Sequence, residues 1–336
     1  NHVSRCYRST VRPESSFGAG DDTAHFFLRD NAFFYLHPQN SDCGLQLPEG
    51  EFAPEHGHGR VTGNNAETWN PGACDWYETV KLNYGCDYRQ GPSGVPWQLP
   101  YPGTEPRVWH IMNEVLAYWQ EMGVGGFRCD MAHMVPATFW RWAIARARLR
   151  DEDVFFMAEG YNDHMKLSEG DVHDMLLYAG FNAVYHSPSY DALRGIYERG
   201  VWANDLDELN HDHLKHFFRG VRYLENHDEQ RLAAPCAWNG CGAAAARALM
   251  AAQYAATACP VLIYNGQECG EDASGPGGFG GDNGRTSIFD YTSLPHFQHW
   301  TAGGKFDGSG MTDAERALRG YPAALLPMLQ HPAIAK

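Results

Sequence analysis

Short apolar runs that turn polar at their last residues recur through the later two-thirds of the chain. They stand at GGFRCD (125–130), VFFMAE (154–159), FNAVYH (181–186), VRYLEN (221–226) and PVLIYNG (260–266), with starts 27 to 40 residues apart. Helical or mixed segments separate them. Runs apolar on both faces, alternating with helices, predict a parallel sheet covered by helices. Five such units in a row suit a (β/α)8 barrel better than a dinucleotide-binding fold, because no GxGxxG follows any of the strands.

The texture before these units is different. From Val3 to about Tyr101 the sequence is irregular and rich in Gly, Pro, Asn, His and aromatic residues, and it reads as loops and short strands. Val108, Met112, Val115, Trp119 and Met122 then repeat at helical spacing, with Gly123 placed to close the helix. The stretch from Ala243 to Tyr264 is Ala-rich and carries an Arg and a Pro, so it reads as a buried helix running into a strand and not as a membrane span.

With 41 acidic against 26 basic residues the formal net charge is −15, and the basic residues form no dense block. Phosphate affinity needs a concentrated basic surface, so a nucleic-acid partner is excluded as a reading. The nine cysteines (6, 43, 74, 86, 129, 236, 241, 259 and 269) are odd in number and include no CxxC pair, which argues against a full disulfide framework and against a zinc site. Cys236 and Cys241 are spaced to close a small loop in an oxidising compartment. A cytoplasmic location is favoured, and the compartment is otherwise open.

The polar residues sit at the C-terminal ends of the strands, the rim on which side chains of a parallel barrel converge. Arg128 and Asp130 are two apart and project to one face, while Cys129 points toward the helical layer. Glu159 ends the next strand, and Asn226, His227 and Asp228 end a later one. Such a set suits cleavage of a glycosidic bond, in which one ionised carboxylate attacks or stabilises the anomeric carbon and a protonated one donates to the leaving oxygen. Asp130, beside Arg128, is expected to stay ionised; Glu159, after Phe155, Phe156 and Met157, is expected to face apolar walls and act as the acid. Asp228 would add negative charge near a developing oxocarbenium ion. The structural alternative is an Arg128–Asp130 ion pair that merely trims a barrel rim, and three acidic strand ends in succession weigh against it.

These motifs resemble the α-amylase superfamily, family 13 of the glycoside hydrolases. GVGGFRCDMAH is similar to that family's strand 4 motif, whose Asp is the nucleophile, and VFFMAEG to its strand 5 motif, whose Glu is the acid/base. YLENHDEQR resembles the strand 7 motif, PVLIYNGQECGE the strand 8 segment, and GGDNGRTSIFDY the loop after it. The resemblance implies catalytic roles for Asp130, Glu159 and Asp228. It implies substrate contacts for His2, Arg128, His227, His133 and Tyr161, the last as a stacking aromatic. His133 replaces a Lys or Glu at a position that helps form the acceptor subsites.

The opening NHV is similar to the end of the family's strand 3. The resemblance therefore implies an incomplete (β/α)8 TIM barrel, with strands 1 and 2 and most of strand 3 absent and an irregular domain B inserted after strand 3. Residues 1–3 would end strand 3, residues 4–100 form the domain B-like insertion, and residues 101–336 supply strands 4 to 8 with their helices. An unclosed barrel leaves strand edges and apolar faces exposed, so marginal stability is expected. No cofactor is required for the chemistry; the resemblance implies that Asn1 helps hold a structural Ca²⁺. The partner is a carbohydrate, an α-glucan or maltooligosaccharide, with no nucleic acid and no membrane.

The expected activity is retaining hydrolysis of α-glucosidic bonds in starch- or glycogen-type substrates by double displacement. The alternatives are a 4-α-glucanotransferase-type transglycosylase and a non-catalytic glucan-binding homologue. Three other features are read as structural. The HGHG stretch at 56–59 is a solvated loop, NDLDELNHDHLKH (204–216) a charged helix start, and Trp76 either a sugar platform or core. Glu225 is expected to face the helical shell or pair locally.

Overall fold

The computed structural model describes residues 2–4, 17–36, 59–61, 79–87, 101–160, 172–204, 206–207, 219–255, 258–274, 283–288 and 293–332. The chain divides into two compact units, Asn1–Val184 and Tyr185–Lys336.

In the first unit, β1 (His2–Ser4) pairs antiparallel with β4 (Thr79–Lys81), and β2 (Tyr35–Leu36) with β3 (Gly59–Arg60). Helix α1 (Arg107–Glu121) follows Pro106, and Gly123 beyond it takes a φ of 90°, a conformation that glycine adopts without steric cost. Its length agrees with the sequence pattern, but its buried face does not. Val108, Trp109 and Leu116 are buried, whereas Val115, Trp119 and Met122 are exposed. Trp109 decides the rotation of the helix: its ring packs on Phe139 and Trp142 and its indole N–H donates to Tyr84 O at 3.0 Å.

The parallel sheet runs through β5 (Gly126–Cys129), β6 (Phe155–Ala158) and β7 (Ala183–Tyr185), each from one of the apolar runs. Its register pairs Arg128 with Met157 and Cys129 with Ala158, so the residues that end the two strands lie side by side. Helices α2 (Ala137–Arg150) and α3 (Val172–Ala179) contribute Phe139, Ala143, Ile144, Ala147, Val172 and Leu176 to a core with Phe156, Ala158 and Phe181. Cys129 joins that core, as its alternation with Arg128 and Asp130 requires.

The second unit begins with α4 (Ser187–Arg199), capped at its start by the His186 ring and at its end by Gly200. β8 (Gly220–Val221) is short, and Arg222 forms a parallel bridge with Val261. Two bonds hold that bridge: Arg222 N–H to Pro260 O at 2.8 Å and Leu262 N–H to Arg222 O at 2.9 Å. The last two apolar runs thus yield only a few ladder rungs. Proline supplies no donor in one, and polar residues turn the chain away in the other. Helices α5 (Gly242–Tyr254), α6 (Pro295–Thr301) and α7 (Asp313–Leu329) complete the unit. Cys236 and Cys241 are free thiols, so the small disulfide loop considered from their spacing is not formed. Among the described residues no helix is long and apolar enough to cross a membrane.

Candidate active site

Asp130 leaves β5 just as the chain reverses. Met131 adopts a left-handed conformation (φ 46°, ψ 41°), rare for a residue with a side chain, and a short 3-10 turn at Ala132–Met134 follows. The reversal is fixed from the neighbouring strand. Glu159 N–H donates to Cys129 O at 3.0 Å, Ala132 N–H donates to Glu159 O at 2.9 Å, and Met131 N–H donates to the Glu159 carboxylate at 2.7 Å. Backbone strain held by surrounding bonds in this way clusters at functional sites.

One guanidinium joins the two acids. Arg128 Nη1 lies 2.7 Å from Asp130 Oδ1 and Nη2 lies 3.2 Å from Glu159 Oε1. Asp130 is about half exposed, while Glu159 is 3% exposed. Burial of Glu159 agrees with the sequence reading, but its surroundings differ from the apolar walls expected. Its oxygens meet a guanidinium and a backbone N–H, because the strand register sets Glu159 beside the reversing chain and not against Phe155. Gly160 follows it, and a methyl group there would come within 2.5 Å of Leu176 Cδ1. A larger residue there would require the Leu176 and Val172 side chains of α3 to shift.

His133 is 1% exposed. The chain reversal at Met131 tucks the 3-10 turn inward, so the ring expected to face an acceptor sugar is buried. The same turn is held by a residue the sequence reading did not single out. Lys81, fully buried on β4, donates from Nζ to Met134 O at 2.9 Å, and burial brings its ammonium down to about 7. A lone Lys in a short strand gives no sequence signal for such a role.

The second unit builds a different strand end. The Asn226 side chain accepts N–H bonds from Asp228 at 2.8 Å and Glu229 at 3.1 Å, a local turn that fixes Asp228. His227 Nε2 lies 3.0 Å from Asp228 Oδ2, and Arg285 Nη2 lies 3.7 Å from Asp228 Oδ1. Beneath it, the fully buried Glu225 and Arg231 pair at 2.8 Å, which agrees with the local pairing expected of Glu225. Arg231 also donates to Thr286 Oγ1 and Asn265 O and stacks 4.0 Å from the Tyr264 ring centroid, and its backbone N–H donates to Gly284 O at 2.7 Å. These bonds stitch the 283–288 loop to the strand end. The sequence reading noted that loop but not Arg285 within it.

Asn1 and Tyr161 lie outside the described residues, as do Trp76, residues 56–58 of HGHG and most of 204–216; of His2 only the backbone is described. The structure therefore brings Arg128, Asp130 and Glu159 together in one unit, and His227 and Asp228 together in the other.

No family model matches the chain. An α-1,4-glucan:maltose-1-phosphate maltosyltransferase of Cereibacter sphaeroides is 38% identical over 61 residues, which cover 18% of this chain and 10% of that protein. The α-amylase MalA of Haloarcula japonica is 31% identical over 216 residues, covering 58% of this chain and 29% of that protein. The chain thus spans less than a third of the length of either curated relative. Among solved structures, a cyclic α-maltosyl-(1→6)-maltose hydrolase from Arthrobacter globiformis matches with a TM-score of 0.50 at 16% identity, over 83% of this chain and 50% of that one, a likeness of fold. The chain is a relative of the α-amylase-family enzymes.

Proposed function

We propose that this chain carries the catalytic acids of a retaining α-glucan-active glycoside hydrolase. The observation that carries the reading is the Arg128 guanidinium shared by Asp130 and Glu159 at the ends of adjacent parallel strands. In the first step an Asp130 oxygen attacks the anomeric carbon while Glu159 gives its proton to the departing glycosidic oxygen. In the second, Glu159 takes a proton from water, the water oxygen attacks the same carbon, and Asp130 leaves. Two inversions return the original configuration. Arg128 holds the nucleophile in place. Asp228, as the third catalytic carboxylate, and His227, as a substrate contact, are assigned on their sequence motif alone.

The fold reading that accompanies this is an incomplete (β/α)8 barrel in which β5 is strand 4. Among the described residues β5 pairs on one side only, with β6, which supports an open edge. The insertion before residue 101 is read as the domain B of that barrel, and Asn1 as a possible ligand of its structural Ca²⁺ on motif alone.

Incubation with maltoheptaose, followed by chromatography of the products and NMR of the first anomer released, tests the reading. Shorter sugars of retained configuration, absent with Asp130→Asn, are expected; products of inverted configuration would sink it. A second reading is glycosyl transfer, favoured by the maltosyltransferase relative. It predicts longer sugars alongside shorter ones with no net gain of reducing ends.

A further inference from the structure

The second unit holds a cluster of metal-ligand type on α6 and α7. His296 and His299 are three apart on α6 and so share one face. His296 Nδ1 lies 2.7 Å and His299 Nδ1 2.8 Å from the same oxygen, Glu315 Oε1. Glu315 stands in the first turn of α7, where it completes a capping box: its other oxygen accepts the Thr312 N–H at 2.6 Å. The three ligand atoms lie within 4.8 Å of one another.

The surroundings are those of a ligand set. Metal-bound histidines usually turn their second ring nitrogen to a carboxylate, and His296 Nε2 faces Asp272 Oδ1 at 3.7 Å. The Glu271 carboxylate accepts the His296 backbone N–H at 3.1 Å, which fixes the start of α6. Glu315 is buried, while both rings are partly open to solvent, so an ion has a route in and a water has room on the ion. Metal–ligand bonds of about 2.0–2.1 Å in a tetrahedron put ligand atoms about 3.3 Å apart. The two nitrogens need to draw back from the shared oxygen by about half an ångström, and every pair of ligand atoms already lies within 4.8 Å. Two imidazoles and one carboxylate favour a borderline ion over Ca²⁺ or Mg²⁺, which prefer oxygen ligands throughout.

We propose that His296, His299 and Glu315 bind one zinc-type divalent ion, with water as the fourth ligand and Asp272 orienting His296. The ion would tie α6 to the start of α7. Titration of the metal-stripped full chain with ZnCl2 by calorimetry, with Co²⁺ absorption alongside, tests this. One ion per chain, a raised melting midpoint and a Co²⁺ spectrum of nitrogen and oxygen ligation are expected. His299→Ala should weaken binding at least tenfold, and Asp272→Asn, which removes no ligand, by about 10-fold. No binding by the folded wild-type chain would overturn the site. So would binding that survives both variants, or that vanishes with Cys236→Ser and shows thiolate bands, since the ion then sits on the exposed thiol.

Discussion

The two strand-end clusters solve one problem by different means. Asp130 is placed by strand register and a strained reversal: its neighbour Met131 is left-handed, and the adjacent strand's Glu159 holds that residue's N–H. Asp228 is placed by a relaxed side-chain turn from Asn226 over a fully buried ion pair, Glu225–Arg231. In the first cluster the charged groups that would do chemistry also hold the geometry. In the second, holding the geometry falls to residues that would take no part in chemistry. Mutations should therefore separate activity from stability differently in the two places.

The largest effects test that split. Asp130→Asn should lower turnover of maltoheptaose by about 10^4-fold or more and Glu159→Gln by about 10^2- to 10^4-fold. Because Asp130 is half exposed, its ion pair is worth about 0–1 kcal/mol, and urea unfolding of Asp130→Asn should change by no more than that. The buried pair should behave in the opposite way. Arg231→Met leaves the Glu225 carboxylate buried without its partner, and a loss of about 3–5 kcal/mol is expected in the same unfolding experiment. If Asp130→Asn proves the more destabilising of the two, the division of labour between the clusters is wrong.

How far the sequence showed this follows from the range of the interactions. The ends of β5 and β6 were legible because alternation along a strand is local, and FRCD and FFMAE announce where the strands turn polar. The α1 boundaries were legible for the same reason. Its buried face was not, because Trp109 gains Phe139 and Trp142 only once α2 has packed. Lys81 and the Arg231 network were hidden likewise: Lys81 meets Met134 from 53 residues away, and Arg231 meets Thr286 from 55. The polar contacts of Glu159 were misjudged because its preceding residues are aromatic, yet side chains alternate and its true neighbours come from the other strand.

Lys81 gives the first cluster a dependence on pH opposite in sign to that of the buried Glu225 in the second, whose carboxyl burial raises to about 7. In the unfolded chain the ammonium loses its proton near 10.4, in the folded chain at about 7. Between those values the unfolded state binds the extra proton, so stability rises with pH. Burial also pushes the Cys86 and Cys129 thiols up to about 12, which opposes the rise once the pH reaches the free thiol range at about 8.5. The clean window is pH 7 to 8, over which Lys81 should add about 1 kcal/mol. Unfolding of Lys81→Met across that window should lack the rise. A slope that persists unchanged would mean that Lys81 is not the group responsible.

The smallest effect concerns the strained residue itself. A left-handed conformation costs a residue with a side chain about 1–2 kcal/mol, and glycine nothing of the kind. Against this, Met131→Gly gives up a partly buried side chain and frees the unfolded backbone, each worth about 1 kcal/mol. The terms nearly cancel, so Met131→Gly should unfold within about 1 kcal/mol of the parent. Met131→Val, whose branched side chain suits that conformation least, should be clearly less stable than Met131→Gly. Both variants keep the N–H that Glu159 accepts. If the reversal serves to hold Asp130 in place, glycine's freedom should lower turnover several-fold while leaving stability nearly unchanged. Parent-like turnover with a clear gain in stability would instead show that the strain at Met131 can be relieved without disturbing the pair of acids it lies between.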